Sequence, residues 1–125
     1  MAVLATSGEP DALSRWHEDA LLYRDLLETM LRFPKPLIAA VQGPAMAGGL
    51  GIVLACDIVL AAPEATFGLP EPKRGLVAGV VAPLLAFRVG AGRAAYTLLT
   101  AQSMNSEEGH RIGLVHELVK ADQLW

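Results

Sequence analysis

The stretch PLIAAVQGPAMAGGLGIVLACDIVLAA, residues 36–62, decides the fold class of this chain. Its apolar runs at residues 37–41 and 57–62 are short and continuous, as strands buried in a parallel sheet are. Between them, a Gly-Pro pair ends the first run, and a turn of small residues leads into a short helix over residues 52–56. A strand, a helix and a second strand so close together predict a right-handed crossover and a parallel sheet. The predicted fold class is therefore α/β.

The flanking sequence extends this layout. Upstream, apolar residues spaced alternately by three and four predict an amphipathic helix, which Pro34 ends. The apolar positions are Leu13, Trp16, Ala20, Tyr23, Leu27 and Met30. Downstream, residues 67–79 are rich in Gly and Pro and are predicted to form a loop. The remaining predictions are helices over residues 80–89, 94–99 and 107–112, the last capped by Ser106, and a final strand over residues 114–119.

Composition limits the kind of protein. An apolar fraction of 53% and a charged fraction of 18% are typical of a folded domain, and 125 residues allow one. We expect a single domain over residues 1–125, with a leading helix in 1–33 and a core segment in 34–125. The net charge of −3 has no basic block, so no nucleic-acid partner is expected. No membrane span or secretory signal is recognisable, and the lone Cys56 suits a reducing compartment, so a cytoplasmic location is expected.

The segment GPAMAGGLG, residues 43–51, offers backbone groups for chemistry. N–H groups at a helix start have no partner within the helix and carry positive partial charge, so they can stabilise a developing oxyanion. Gly48 and Gly49 are the best candidates for such donors. Alternatively, these glycines only allow the helix to pack closely on a strand. The pattern matches neither the dinucleotide fingerprint nor the P-loop.

Glu71 is the candidate general base. It lies between Pro70 and Pro72, where a restricted backbone could hold a carboxylate at a fixed angle. The alternative is an ordinary exposed loop glutamate. No metal site is predicted, because the three histidines lack metal-ligand spacing and Cys56 is better explained as a small core residue.

Several segments, in their order and spacing, resemble the central signature of the enoyl-CoA hydratase/isomerase (crotonase) family. They are KPLIAAVQG (35–43), AGG (47–49), ACD (55–57), FGLPE (67–71) and GLV (75–77). The likeness continues through LLT (98–100) and EEGHRIGLVHEL (107–118), so that it covers residues 34–124. It implies a crotonase-like ββα spiral core of the ClpP/crotonase type, and relative to the family pattern we expect this core to be truncated at both ends.

The resemblance also implies a function: an enzyme that binds an acyl-CoA thioester and stabilises its enolate. Gly48 matches the second of the family's two oxyanion donors, and Glu71 matches its second catalytic glutamate. The neighbouring residues would contact the substrate, namely Ala47, Gly49, Gly51, Leu69 and Pro70. No separate cofactor is implied, because coenzyme A is part of the substrate. In the full-length form, the family implies a homo-oligomer, a trimer or a hexamer.

The chain departs from the family pattern at two points. Gly51 stands where the family has its first catalytic glutamate, which favours an isomerase-like proton shuttle on one glutamate over hydration. The upstream motif that carries the first oxyanion donor has no match in residues 1–11. An alternative reading is therefore a catalytically inactive relic that serves as an acyl-CoA-binding or oligomer-interaction module.

Overall fold

A computed structural model describes residues 11–124. The helices are α1 (Ala12–Leu31), α2 (Gly48–Leu54), α3 (Ala82–Val89), α4 (Ala91–Thr100) and α5 (Ser106–Arg111). The strands are β1 (Ile38–Val41), β2 (Pro44–Met46), β3 (Ile58–Ala61), β4 (Thr66–Gly68), β5 (Met104–Asn105) and β6 (Glu117–Leu118). Two short 3₁₀ helices, Glu71–Arg74 and Ala121–Gln123, complete the described part.

The predicted parallel sheet is present, with the strand order β1-β3-β6. All four residues of β1 pair in parallel with β3, from Ile38 opposite Ile58 to Val41 opposite Ala61. The last strand is shorter than predicted, and only its residues Glu117 and Leu118 pair with β3. The contact between β3 and β6 extends to His116, the residue before β6, because the His116 Nδ1 accepts a hydrogen bond from the Val59 N–H at 2.9 Å. The α/β class and the crossover from β1 through α2 to β3 are thus confirmed.

A second sheet was not predicted. Its order is β2-β4-β5, with β2 and β4 parallel and β4 and β5 antiparallel. We predicted a turn where β2 lies, and a loop that includes most of β4. Both predictions are wrong, because strands of two or three residues are too short to show a period of two. Strand β2 follows β1, and β4 follows β3, after only a few residues, so the chain passes from the first sheet to the second within a short connection.

The order of elements contains two ββα units. The first is β1-β2-α2, and the second is β3-β4 followed by the 3₁₀ helix and α3. This arrangement agrees with the ββα spiral that the resemblance implies. It brings the N-terminus of α2 and the segment after β4 next to each other, since β2 and β4 are neighbours in the second sheet.

The core lies between the sheets and helices α2 to α5. Its largest fully buried side chains include Phe67 of β4, Leu50 of α2 and Leu85 of α3. Burying a side chain of this size stabilises the fold by about 1.5–3 kcal/mol. Helix α1 contributes Leu27, which is buried, and Tyr23, which packs against the core. Leu13, predicted on the same face, is 74% exposed.

The helix starts differ from the prediction: α2 begins at Gly48, inside the predicted turn, and α3 begins at Ala82. Asn105, not Ser106, caps α5, because the Asn105 side chain accepts a hydrogen bond from the Glu108 N–H at 2.8 Å. Ser106 is instead buried, and its hydroxyl donates to the Pro63 carbonyl at 3.1 Å. Helix α4 begins at Ala91, since Gly90 alone, with a φ of 82°, makes the break after α3. Within residues 11–124, no helix is both long and apolar enough to span a bilayer.

Candidate functional site

The turn between β2 and α2 holds an unusual backbone. Ala47 has a φ of 53° and a ψ of −124°, which is strained for a residue with a side chain. Its N–H donates to the Gly68 carbonyl at 2.9 Å, so β4 fixes the turn from one side. The next two N–H groups, of Gly48 and Gly49, form the first positions of α2 and donate to no group of residues 11–124. They are therefore available as hydrogen-bond donors at a helix N-terminus.

Glu71 begins the 3₁₀ helix that follows β4. Pro70 precedes it, Pro72 follows it, and the helix ends at Gly75, whose φ is 69°. The Glu71 carbonyl accepts from the Leu76 N–H at 3.1 Å, which closes the turn. The Glu71 Oε2 atom is buried and accepts no hydrogen bond from the described residues. A buried carboxylate oxygen without a donor is costly, so this oxygen is suited to interaction with a bound molecule.

One cavity of about 480 Å³ joins these features. Its wall includes Ala47, Gly48, Pro70 and Glu71, so four of the seven predicted site residues surround one space. The rest of its lining consists of Trp16, Ala20, Tyr23, Arg74 and the segment 76–81. Among the described residues that line it, Glu71 is the only carboxylate. The Trp16 indole N–H is likewise buried without a partner in residues 11–124.

The other three predicted residues are not part of this wall. Leu69 is 0% exposed and belongs to the hydrophobic core, and it does not line the cavity. Gly49 is exposed and lies outside the lining. Gly51 is buried, and a Cβ built on it would come within 2.0 Å of the Tyr23 hydroxyl oxygen.

Tyr23 is the site residue that sequence reasoning missed, since it was assigned only to the apolar face of α1. Its hydroxyl donates to the Gly48 carbonyl at 2.6 Å, across 25 positions of sequence. Burial and, to a smaller extent, the nearby Glu71 carboxylate raise the pKa of Tyr23 to about 12. The hydroxyl is therefore neutral at physiological pH. The spacing of Trp16, Ala20 and Tyr23 does put them on one helix face, but it could not show that this face lines a cavity.

The cysteine, histidine and basic residues that the sequence analysis did not assign to the site are described next by their surroundings. Cys56 is buried, its thiol donates to the Ile52 carbonyl at 3.4 Å, and burial raises its pKa, so the thiol form is favoured. His110 Nδ1 lies 3.1 Å from the Val115 carbonyl oxygen. In the described range 11–124, no three acidic, histidine or cysteine side chains are grouped as metal ligands. Lys73 and Arg74 are exposed on the 3₁₀ helix, and only Arg74 reaches the cavity lining.

Comparison with known proteins decides the family. A sequence profile described as enoyl-CoA hydratase/isomerase matches residues 12–125, which is nearly the whole chain. The chain belongs to the enoyl-CoA hydratase/isomerase family. The predicted resemblance is thus confirmed, and the cavity between Gly48 and Glu71 lies within a crotonase fold.

Relatives in this family are similar over most of the chain. The short-chain-enoyl-CoA hydratase of Clostridium acetobutylicum is 42% identical over 91 residues, which are 72% of this chain and 35% of that protein. The mevalonyl-coenzyme A hydratase of Aspergillus fumigatus is 46% identical over 95 residues, 74% of this chain and 35% of that protein. The chain therefore spans about a third of the length of these relatives.

Solved structures of the family have the same fold. An enoyl-CoA hydratase/isomerase from Cupriavidus metallidurans superposes with a TM-score of 0.84 at 35% identity, over 96% of this chain and 44% of that one. The enoyl-CoA hydratase from Bacillus anthracis superposes with a TM-score of 0.88 at 29% identity, over 94% of this chain and 45% of that one. The crotonase fold is therefore shown for the described part of the chain.

Proposed function

We propose that this chain carries an acyl-CoA site in which Gly48 stabilises a thioester enolate and Glu71 moves a proton. The observation that supports this proposal best is the buried Glu71 Oε2 atom, which has no partner among residues 11–124 and belongs to the wall that Gly48 shares. A carboxylate in an apolar cavity beside free N–H groups can exchange a proton with carbon while the N–H groups stabilise the charge that forms on oxygen.

The proposed reaction moves a double bond of an enoyl thioester from C3 to C2. Glu71 takes a proton from C2, which breaks the C–H bond and leaves a dienolate with its charge on the thioester oxygen. The Gly48 N–H donates a hydrogen bond to that oxygen. Glu71 then returns the proton to C4, and the new double bond joins C2 and C3. The reaction moves one proton and one double bond with no net oxidation or reduction, so the proposed mechanism requires no cofactor. Coenzyme A enters only as part of the substrate.

Hydration is the second candidate, because relatives of this chain bear hydratase names. Adding water to a 2-enoyl thioester is helped by two carboxylates, one for the water and one for the proton. Gly51 offers no second carboxylate, and Glu71 is alone in the described cavity lining. We therefore favour the isomerase-like shuttle. Binding of the thioester without proton exchange would instead indicate a non-catalytic acyl-CoA-binding module.

The test compares the chain with its Glu71→Gln variant in two assays. A 3-enoyl-CoA substrate, followed by the absorbance of the conjugated 2-enoyl product, measures isomerisation. A 2-enoyl-CoA substrate, followed by loss of that absorbance, measures hydration. We expect isomerisation to exceed hydration in the unmodified chain, and Glu71→Gln to lower its kcat by about 10²–10⁴-fold, since it removes the proton acceptor but keeps the shape.

Glu64→Gln is the matched control, because Glu64 is exposed and lies outside the cavity lining. It should leave both rates unchanged. Equal activity of the unmodified chain and the Glu71→Gln variant would refute the proposed role of Glu71. Faster hydration than isomerisation would refute the isomerase-like shuttle, and thioester binding with no proton exchange would support the binding module.

A further inference from the structure

Tyr23 and Gly51 form an interlocked pair. A Cβ built on Gly51 would lie 2.0 Å from the Tyr23 hydroxyl oxygen, 3.2 Å from its Cζ and 2.9 Å from Val81 Cγ2. Real Cβ atoms do not approach other atoms so closely, so any larger residue at position 51 requires Tyr23 to move. The hydroxyl end of Tyr23 therefore occupies the space that a side chain at position 51 would take.

The same hydroxyl also holds the turn before α2. It donates to the Gly48 carbonyl at 2.6 Å, while the Ala47 N–H donates to the Gly68 carbonyl at 2.9 Å. A strained residue such as Ala47, with a φ of 53°, persists only where its surroundings fix it. Helix α1 fixes one side of this turn through Tyr23, and β4 fixes the other side through Gly68.

We propose that Tyr23 is the positioning residue of this site. Its hydroxyl holds the Gly48–Gly49 peptide and, together with the Ala47 N–H bond on the other side, fixes the intervening peptide that carries the Gly48 N–H. The same hydroxyl end takes the place of a side chain at position 51. This role rests on the proposed function, because it concerns the N–H group that would stabilise the enolate. Tyr23 acts through Gly48 and not as an acid, since its proton is already donated to the Gly48 carbonyl.

The main test is Tyr23→Phe, which removes the hydroxyl and keeps the ring. We expect kcat for proton exchange at C2 of an acyl-CoA thioester to fall by about 10–100-fold, because a misdirected donor stabilises the enolate less. KM should change less than about 2-fold, because uniform binding of the thioester is retained. Tyr96→Phe is the matched control: the Tyr96 hydroxyl donates to Gln102 Oε1 at 3.2 Å, outside the cavity lining, so kcat should not change.

A double-mutant cycle tests the interlocked pair without using activity. Gly51→Ala should lower Tm in the unmodified chain, because the methyl group meets the Tyr23 hydroxyl. In a Tyr23→Ala background the same Gly51→Ala change should lower Tm by less, since the shortest contact, with the Tyr23 hydroxyl, is gone while that with Val81 remains. Additive Tm shifts would overturn the claim that Tyr23 takes the place of a side chain at position 51.

The outcomes separate this role from the proposed function. An active chain whose Tyr23→Phe variant loses kcat but keeps KM supports the positioning role. An active chain whose Tyr23→Phe variant has a lower Tm and an unchanged kcat overturns it, because the hydroxyl is then only structural. A chain that binds the thioester but exchanges no C2 proton overturns the proposed function and the positioning role together.

Discussion

The turn at Ala47 concentrates strain in one residue of the proposed site. A backbone conformation of this kind costs about 1–3 kcal/mol for a residue with a side chain. Two hydrogen bonds from distant parts of the chain oppose that cost, one through the Ala47 N–H and one through the Gly48 carbonyl. The result is a helix N-terminus whose first N–H groups are fixed in direction before any ligand binds, and this preorganisation is what stabilisation of an oxyanion requires.

The ionisation of Tyr23 should change the free energy of unfolding at alkaline pH. An unfolded tyrosine has its ordinary pKa of 10.0, whereas burial and the Glu71 carboxylate raise the pKa of folded Tyr23 to about 12. The unfolded state therefore loses this proton first as the pH rises. The stabilisation is complete below pH 10, and the free energy of unfolding should fall as the pH rises from 10 to about 12.

Urea unfolding across that range measures the effect, with tyrosinate absorbance as the direct titration. Tyr23→Phe lacks the ionising group, so its free energy of unfolding should fall less steeply between pH 10 and about 12. Identical slopes for the two proteins would show that the Tyr23 hydroxyl does not ionise in this way.

At the scale of elements, one arginine joins α3 to the end of α2. Arg88 donates from Nη2 to the carbonyls of Leu54, at 3.2 Å, and Cys56, and from Nη1 to that of Asp57, at 3.4 Å. The last carbonyls of a helix have no partner within it, so a cation at this point satisfies them and interacts favourably with the helix dipole. The turn from α2 into β3 therefore depends on a side chain from a later helix.

Arg88→Met should lower the free energy of unfolding by about 2 kcal/mol, because it removes charged hydrogen bonds while keeping much of the aliphatic side chain. Urea denaturation measures this change. Arg32→Met is the control: the Arg32 side chain is 82% exposed and lies 3.6 Å from Glu28, so its loss should change stability by less than about 0.5 kcal/mol. Equal effects of the two substitutions would refute the role assigned to Arg88.

Close contact between strands is the second feature at this scale. A Cβ on Gly68 would lie 2.8 Å from Met46 Cε of β2 and 3.3 Å from the Cα of Ser103, the residue before β5, so a side chain at position 68 would require both neighbours to shift. The Gly68 carbonyl is also the acceptor for the Ala47 N–H. The second sheet thus helps to hold the turn before α2, although its strands are very short.

At the scale of the whole molecule, large apolar side chains remain exposed. Phe87 of α3 is 92% exposed, Val77 is 88% exposed and Leu99 of α4 is 84% exposed. Covering such exposed apolar surfaces with another protein surface lowers the free energy of the system. Association between copies of the chain, as in the predicted homo-oligomer, would cover them in this way.

We therefore predict concentration-dependent self-association that a Phe87→Ser and Leu99→Ser double variant weakens by about 10-fold or more, from the loss of buried apolar area. Sedimentation velocity over a range of concentrations measures it. Lys120→Ser, at an exposed polar position, serves as the control and should leave association unchanged. A chain that stays monomeric at every concentration would contradict the prediction.

The sequence by itself determined the α/β class, the parallel pairing of β1 with β3, and the family. Short runs of apolar residues broken by Gly and Pro specify these features locally, because strand, turn and helix propensity act over a few neighbouring residues. The motifs around Gly48 and Glu71 could be read in the same way, and the structure brings both residues to one cavity. Their chemical roles remain proposals.

Only the tertiary structure decided how position 51 is filled. The sequence shows a glycine at the position where the resemblance implies a carboxylate, but it cannot show that Tyr23, on a helix 28 positions away, occupies that space. The second sheet was hidden for a related reason, since strands of two or three residues are stabilised by their neighbours and not by their own pattern. Contacts between residues distant in sequence follow from the packing of whole elements, which no local pattern of residues encodes.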